Sequence, residues 1–289
     1  MQNDNPTGDE HVIEAIGRCR VVIRDGEVVE VGPPLIRHCP LARRFARPVD
    51  PITPSAVKEN IEHRISSFGM CTGKRKVVMD TEFVGFGASE IMRYGLLDHK
   101  LDCAVIVADG AGTIITTNPS LVQGVGGRMS GLAYTSPIPE VISRIEENGG
   151  DVLDHSGASI DQPAGVLKAQ KLGYSAIGVT VSTAEDAIAI RELESGAFII
   201  AVHTTGISRE GVELLATSAD LITACASSAV REVAGKKALL QAGSSIPVFA
   251  MTQIGKDLIL DKIRSESGQL VVMGAKLPYS GDNCPDPLV

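Results

Sequence analysis

Three apolar runs, AIGVTV (176–181), FIIAV (198–202) and LITA (221–224), follow one another in the second half of the chain. Each is short, continuous and rich in β-branched residues, which is typical of a strand buried on both faces. The segment 184–194 between the first two is amphipathic and ends at Gly196, as a helix would. Strand starts recur roughly every 22–27 residues. This spacing predicts a parallel sheet covered by helices on both faces.

The same alternation extends in both directions from these runs. The segments 140–147 and 228–241 have helical patterns. We therefore predict an α/β fold with a mostly parallel sheet, doubly wound and open in preference to a barrel, because residues 112–131 interrupt the alternation. Further strands are predicted at 77–79, 103–108, 152–153, 248–251 and 270–273.

The first 75 residues have a different organisation. Residues 18–24 and 27–31 flank Asp25-Gly26, a dipeptide typical of a hairpin turn, and predict a small β-hairpin subdomain. After a Pro-rich basic segment, Thr53 and Pro54 are suited to the start of a helix that Gly69 ends. We therefore divide the chain into an N-terminal part, residues 1–75, and an α/β domain, residues 76–289.

The composition excludes several classes of function. The net charge is −8, only 3% of residues are aromatic and Trp is absent, all of which disfavour nucleic-acid binding. No apolar run approaches the roughly 18–20 residues that span a bilayer, and no signal peptide precedes the fold. We therefore expect a cytoplasmic protein without membrane association, whose six cysteines are reduced.

Small, polar and glycine-rich segments follow several predicted strands. Ligands of parallel α/β folds bind at the carboxyl ends of strands, where free N–H groups donate hydrogen bonds to anions. We predict a site for a small anionic ligand there, with Arg128 as counter-charge. Two alternatives stay open: the hydroxyl groups cap helices, and the glycine segment is a structural loop. The predicted ligand-binding residues are Asp109, Gly110, Gly112, Thr113, Gly124, Gly126, Gly127, Arg128, Thr204, Thr205 and Ser227.

Two strand ends carry candidate catalytic groups. His203 ends one apolar strand, where it is suited to act as a base or ligand. Cys225 ends the next and begins a predicted helix, whose dipole favours the thiolate and makes Cys225 a candidate nucleophile. The alternative for His203 is a buried structural histidine.

Three loop cysteines, Cys39, Cys71 and Cys225, are candidate metal ligands. Three thiolates hold a 4Fe–4S cluster with one open iron, or a zinc ion with His38 or His203 as fourth ligand. Their wide spacing also fits the alternative that each is a small buried apolar side chain.

Well-known nucleotide and hydrolase motifs are missing. Residues 110–115 and 124–129 fail the dinucleotide fingerprint, and residues 250–257 lack the first glycine and the hydroxyl residue of a P-loop. The chain has no Gly-x-Ser-x-Gly elbow and no His-Glu-x-x-His helix.

Several segments together resemble the methanogenesis marker protein 8 family, from Val12 to about Lys256. The resemblance implies archaea that metabolise methane through methyl-coenzyme M reductase, but it transfers no catalytic residue. Iron–sulfur sites and anionic thiol or phosphonate ligands are common in that context. The segments are GRCRVVIRDGEVVEVG (17–32), HCPL (38–41), NIEHRISSFGMCT (60–72), VGFGASE (84–90), DGAGTIITTNPSLVQGVGGRMSGL (109–132), SPIPEVI (136–142), VHTTG (202–206) and ADLITACASSAVRE (219–232).

Three hypotheses follow. The first is an accessory factor that serves methyl-coenzyme M reductase or its maturation machinery through a metal at Cys39, Cys71 and Cys225. The second is an enzyme that acts on a small anionic substrate with His203 and Cys225. The third is a structural assembly protein without a site. The sequence leaves the oligomeric state open, a homo-oligomer included.

Overall fold

The computed structural model describes residues 8–129 and 131–289, in which the chain forms two β-sheets with helices around the larger one. The strands are β1 (Glu10–Ala15), β2 (Cys19–Arg24), β3 (Glu27–Val31), β4 (Cys103–Ala108), β5 (Gly112–Thr116), β6 (Leu132–Thr135), β7 (Gly150–Val152), β8 (Ile177–Val181), β9 (Phe198–Ala201), β10 (Leu221–Thr223), β11 (Leu240–Ala242) and β12 (Val248–Ala250). The helices are α1 (Pro54–Phe68), α2 (Ala88–Leu97), α3 (Pro119–Val125), α4 (Pro139–Glu147), α5 (Gln162–Lys171), α6 (Ala184–Glu192), α7 (Arg209–Ser218), α8 (Gly235–Lys237) and α9 (Gln253–Ser265).

The smaller sheet is antiparallel, with the strand order β3-β2-β1-β6. Its β2–β3 hairpin confirms the predicted hairpin, and Asp25 and Gly26 both adopt positive φ in the turn. The outer strand β6 comes from far beyond residue 75 and pairs with β1. The sheet thus ties the beginning of the chain to the segment between α3 and α4.

The larger sheet is open and has the order β11-β12-β10-β9-β8-β4-β5-β7 within the described part of the chain. Its four central strands β4, β8, β9 and β10 are parallel, as the alternation of strands and helices predicts. The outer strands on both sides run antiparallel to their inner neighbours. The predicted α/β class is confirmed, and the parallel arrangement is confined to the centre of the sheet.

Helices cover both faces of the larger sheet. On one face α5, α6 and α7 pack against the strands through residues such as Val166, Ile190 and Leu215. On the other face lie α2, α3, α4 and α9, which contribute Leu121 and Ile145, among others. A third apolar cluster fills the space between the smaller sheet and α1 and reaches Ala226, just beyond the end of β10.

Helix α1 has the predicted ends. The Thr53 hydroxyl accepts a hydrogen bond from the Ala56 N–H at 3.2 Å, and Pro54 occupies the first position. Gly69 ends the helix with φ of 76°. A side chain at Gly69 would collide with the Lys74 carbonyl, so the close return of the chain also requires glycine there.

Three local predictions were wrong. Residues 77–79 are extended but belong to no strand; the Met79 N–H donates to the Ser120 carbonyl instead of to a neighbouring strand. Residues 270–273 also form no strand, and Val271 and Val272 are more than 80% exposed. The helix predicted over 228–241 ends at Lys237, because Leu240–Ala242 instead pairs with β12 as β11.

The glycine-rich segment after β4 is folded, not a loop. It forms the β4–β5 hairpin and then helix α3, with Gly110 and Gly112 at positive φ around the turn. A Cβ atom on Gly112 would lie 2.2 Å from the Ala158 carbonyl oxygen. Glycine is therefore required at this position both by the backbone angle and by the approach of a second segment.

Gly112→Ala tests this requirement against a matched control. Gly149 also has positive φ, 79°, but a Cβ there meets nothing within 4 Å. We expect Gly149→Ala to lower the free energy of unfolding by about 1 kcal/mol through backbone strain alone. Gly112→Ala adds a backbone collision and should cost about 3 kcal/mol in urea denaturation. Equal costs for the two substitutions would contradict the proposed close packing.

Candidate functional site

Two neighbouring parallel strands end in strained residues. His203 follows β9 with φ of 58°, and Cys225 follows β10 with φ of 44°. Residues with a Cβ atom rarely adopt the left-handed region, and such strain persists only where the surroundings enforce it. The two predicted catalytic residues thus lie side by side at the carboxyl edge of the central sheet.

The imidazole of His203 is fixed by the smaller sheet. Its Nε2 atom lies 2.5 Å from Oε2 of Glu14, on β1, and only 12% of the side chain is exposed. Gly131 packs against the ring, where a Cβ atom would lie 2.7 Å from Nε2. The hydrogen bond from His203 holds the pKa of Glu14 below its usual range. A carboxylate that orients an imidazole is the arrangement found around catalytic histidines.

Arg18 links this pair to the strand-end loop. Its Nε atom lies 3.2 Å from Oε2 of Glu14, and its Nη1 donates to the Thr205 carbonyl at 2.6 Å. Glu14 is therefore held between an imidazole and a guanidinium, and the loop that carries His203 is attached to β1 and the turn after it.

Cys225 is half-buried and has a polar environment. Burial raises the pKa of its thiol, whereas the backbone N–H groups of Thr204 and His203 act in the opposite direction. The guanidinium of Arg231 also favours the thiolate. These groups offset the effect of burial only in part, and the pKa of the thiol stays above its ordinary value.

Arg231 maintains the turn at Cys225. It lies on a π-helical segment, Val230–Ala234, and is 5% exposed. Its Nη2 donates to the Cys225 carbonyl and its Nη1 to the Ser227 carbonyl, both at 2.9 Å. π-helical turns occur frequently at functional sites. Arg231 acts on the position of Cys225 through the backbone and is a positioning residue.

The predicted hydroxyl ligands at these strand ends are engaged within the protein. Thr204 donates to the Thr223 carbonyl at 2.6 Å, and the Thr205 hydroxyl accepts the Ala226 N–H at 3.3 Å. The Ser227 hydroxyl accepts the Val230 N–H at 3.1 Å and so caps the helix that follows. All three stabilise the two loops that carry His203 and Cys225.

Of the three candidate metal ligands, Cys39 belongs to the apolar cluster that contains Ala226, the residue after Cys225. Burial raises the pKa of the Cys39 thiol, and the charge of Cys225 adds a smaller contribution in the same direction. Cys71 lies beside Asp109, whose carboxylate accepts its backbone N–H at 2.6 Å. Among residues 8–129 and 131–289, no group of three or more His, Cys, Asp or Glu side chains is arranged to hold a metal ion.

Asp109 forms a buried ion pair. Its carboxylate lies 2.9 Å from Nε of Arg75, and each side chain is 1% exposed. The Arg75 guanidinium also donates to the Gly124 carbonyl at 3.2 Å. This pair joins the segment after α1 to the end of β4 and to α3, so the structure places Asp109 in the interior rather than at an open strand end.

The remaining residues of the predicted anion site separate into two groups. Gly110, Gly112, Thr113 and Gly124 lie in the interior: the Gly110 N–H donates to Thr135, and the Thr113 hydroxyl accepts the Asp161 N–H. Gly126 lies against Ser89. Gly127 and Arg128 line an open cavity beside α1. Among these residues, only Gly127 and Arg128 at the end of the glycine-rich segment line a cavity.

Three residues that shape the site around His203 and Cys225 were not predicted from the sequence: Glu14, Arg18 and Arg231. Glu14 and His203 are 189 positions apart, and no local pattern marks their contact. Arg231 lies six residues after Cys225. Its position one helical turn after Ser227, a candidate helix cap, is the only sequence signal that indicates it.

The fold and the site define an α/β protein in which two strained residues, His203 and Cys225, follow adjacent parallel strands. The chain belongs to the family described as an uncharacterized protein conserved in archaea (DUF2099), whose profile matches residues 11–264. The uncharacterized protein MJ0054 of Methanocaldococcus jannaschii is 46% identical over 284 residues, which cover 97% of this chain and 100% of the relative. No solved structure matches the chain. Within the described part of the chain, no helix has the length and apolar character needed to cross a membrane.

Glu14→Gln tests the carboxylate–imidazole pair through its pH dependence. Because the folded state lowers the pKa of Glu14 from its ordinary value of 4.5, the ionised carboxylate stabilises the protein above that pH. This contribution is lost as the pH falls through the lowered pKa. We expect the substitution to reduce the free energy of unfolding by about 1–2 kcal/mol at pH 7, with a smaller difference near pH 3.

Glu30→Gln is the matched control, since Glu30 pairs with Arg20 on the exposed side of the same sheet. Its effect in urea denaturation should stay within about 0.5 kcal/mol at both pH values. A Glu14→Gln effect equally small at pH 7 would show that the pair with His203 does not stabilise the fold.

Proposed function

We propose that the protein is a thiol-dependent enzyme of archaeal methane metabolism, active in the cytoplasm on a small anionic substrate. The observation that carries this proposal is the pair of strained residues, His203 and Cys225, at the ends of adjacent parallel strands. The resemblance to the methanogenesis marker protein 8 family supports the metabolic context.

The geometry supports nucleophilic catalysis by Cys225. In this scheme the thiol proton passes to His203, the sulfur forms a bond to an electrophilic carbon of the substrate, and the leaving group departs with the bonding electron pair. Glu14 holds the imidazole in place, and the N–H groups of His203 and Thr204 stabilise charge on the sulfur. Arg231 keeps the Cys225 turn in its strained form.

Acylation by p-nitrophenyl acetate tests this arrangement without knowledge of the natural substrate. We expect the Cys225 sulfur to take the acetyl group as p-nitrophenolate leaves, so that absorbance of p-nitrophenolate reports the rate and peptide mass spectrometry identifies the acetylated residue. Because burial raises the pKa of Cys225 above its ordinary value of 9.0, the rate should rise as the pH increases toward and past that value. His203→Gln should reduce the rate at pH 7 by about 100-fold.

Cys284→Ser is the matched control, since Cys284 is also half-buried while the other four thiols are buried. It should leave the acylation of Cys225 unchanged, and Cys225→Ser should abolish it. Equal rates of Cys225 acetylation in the wild type and in folded His203→Gln protein would show that His203 does not act as the base. If Cys225 is acylated no faster in the folded protein than in the unfolded chain, the fold does not activate its thiol.

The packing of Cys39 in the cluster that contains Ala226, the residue after Cys225, favours a second candidate function. We propose as an alternative that the chain is an accessory factor for methyl-coenzyme M reductase or its maturation machinery, with a metal bound through cysteine. The fit is incomplete, because Cys71 lies beside Asp109 and two thiolates are fewer than a stable zinc or 4Fe–4S site requires. The remaining ligands would come from the partner protein.

Metal and acid-labile sulfide content, measured on protein purified without oxygen, tests this alternative. We expect iron or zinc in the wild type and its loss in both Cys39→Ser and Cys225→Ser. Cys19→Ser is the control, because Cys19 is a buried thiol of β2 that donates to the Gly32 carbonyl. A folded, metal-free wild-type protein would contradict the accessory role through a metal.

A further inference from the structure

A cavity of about 420 Å³ lies beside α1, and neither His203 nor Cys225 lines it. Its walls come from α1, from residues 41–47 of the Pro-rich segment, from residues 76–83 and from the turn at 127–129. We call it the α1 cavity. Its volume lies within the range of small-molecule binding sites.

The α1 cavity is positively charged in a protein whose net charge is −8. Arg47, Arg64, Lys76 and Arg128 line it, and within the described chain no Asp or Glu does. Arg47 and Lys76 are exposed at its rim, whereas Arg64 and Arg128 are partly buried in its wall. Four cationic side chains therefore line the cavity, and no carboxylate of the described residues lines it with them.

The two wall arginines keep donors available for a ligand. Arg64 donates through Nη1 to the Arg128 carbonyl at 3.2 Å, and Nη2 of Arg128 lies 2.9 Å from the Met79 sulfur. The Nη1 atom of Arg128 is buried and has no partner among the described residues. Neither side chain forms an ion pair within that part of the chain. A buried guanidinium nitrogen without an acceptor is costly unless a ligand supplies one.

Aromatic rings hold the guanidinium groups in place. The Arg64 guanidinium carbon lies 4.8 Å from the centre of the Phe45 ring, and that of Arg128 lies 4.6 Å from the centre of the Phe68 ring. The Phe45 and Phe83 ring centres are 5.9 Å apart. Three of the six phenylalanines of an aromatic-poor chain thus line one cavity. Stacking fixes the planar faces and leaves the N–H edges free.

Burial disfavours the charged form of both wall arginines. Burial lowers the pKa of Arg64 to about 10, and the nearby charge of Arg75 acts in the same direction. Burial and Arg75 also lower the pKa of Arg128. An anion bound by these guanidinium groups would offset the cost of burying their charge, and bidentate pairing with an oxyanion suits the geometry of arginine.

We propose that the α1 cavity binds a small organic anion that joins a phosphate or carboxylate group to an aromatic body. The anionic group would lie between Arg64 and Arg128, and the ring would pack against Phe45 and Phe68. Lys76 and Arg47 at the rim would add attraction at longer range. This binding site is independent of the thiol chemistry proposed for Cys225.

Isothermal titration calorimetry with simple probes tests the assignment. We expect phenyl phosphate or benzoate to bind at least tenfold more tightly than inorganic phosphate, because only they occupy both the cationic and the aromatic surfaces. Phenol, which lacks the anionic group, should show no measurable binding. Arg64→Gln and Arg128→Gln should each weaken binding of the tighter probe at least tenfold.

Two kinds of control distinguish binding in the α1 cavity from binding at another surface of the protein. Arg20→Gln removes an exposed charge on β2 that is not part of the cavity wall, and it should leave binding unchanged. Lys76→Gln and Arg47→Gln alter only exposed rim residues and should weaken binding severalfold even if a wall variant fails to fold. His203→Gln and Cys225→Ser should bind the probe as the wild type does, so failure of one proposal does not affect the other.

Two results would overturn the proposal. One is absence of binding for both phenyl phosphate and benzoate. The other is binding that persists unchanged when Arg64 and Arg128 are both replaced by Gln, which would place the probe elsewhere on the protein.

Discussion

The ion pair between Arg75 and Asp109 is the interaction on which the arrangement of the molecule depends. It is buried, and it joins three parts of the chain: the segment after α1, the end of the central strand β4, and α3. Removal of one partner would leave an unpaired charge in the interior, which typically costs about 3–5 kcal/mol. The same arginine stacks against Phe68, 5.0 Å from its ring centre, on the helix that borders the α1 cavity. The arginine that joins the segment after α1 to the central sheet therefore also packs against an aromatic wall residue of the α1 cavity.

The cysteine–histidine site lies between the two sheets and requires both. The parallel strands β9 and β10 bring His203 and Cys225 side by side, while β1 of the smaller sheet supplies Glu14. Arg231 and Arg18 attach the two strand-end loops, each through a backbone carbonyl. Because the threonine and serine hydroxyls predicted as ligands in these loops bind internal partners, small substitutions far from the sulfur can alter its position. This is the behaviour expected of a preorganised site.

The sequence predicts the local elements well and their long-range pairing poorly. Asp25-Gly26 and the Thr53-Pro54 start of α1 carry their own turn and cap signals, so the hairpin and the helix were predicted correctly. The apolar run at 270–273 has the same composition as a buried strand, but no strand of the described chain pairs with it. The composition of a segment does not show whether a neighbouring strand is available to pair with it. The contact of Glu14 with His203, and the grouping of Arg64 with Arg128, likewise depend on packing between distant segments. His203 and Cys225 became candidates because strand ends are marked in the sequence, and Arg128 because it follows the glycine-rich segment.

The pairing of β6 with β1 has a consequence for synthesis on the ribosome. Strand β1 is made early, yet one of its two edges stays unpaired until residues 132–135 have been translated. By then the segments that form β4, β5 and α3 of the larger sheet have already been made. An exposed strand edge is a site for pairing with other chains. A nascent chain of this protein therefore carries an open edge through the translation of more than a hundred residues, and chaperone binding would be most useful during that interval.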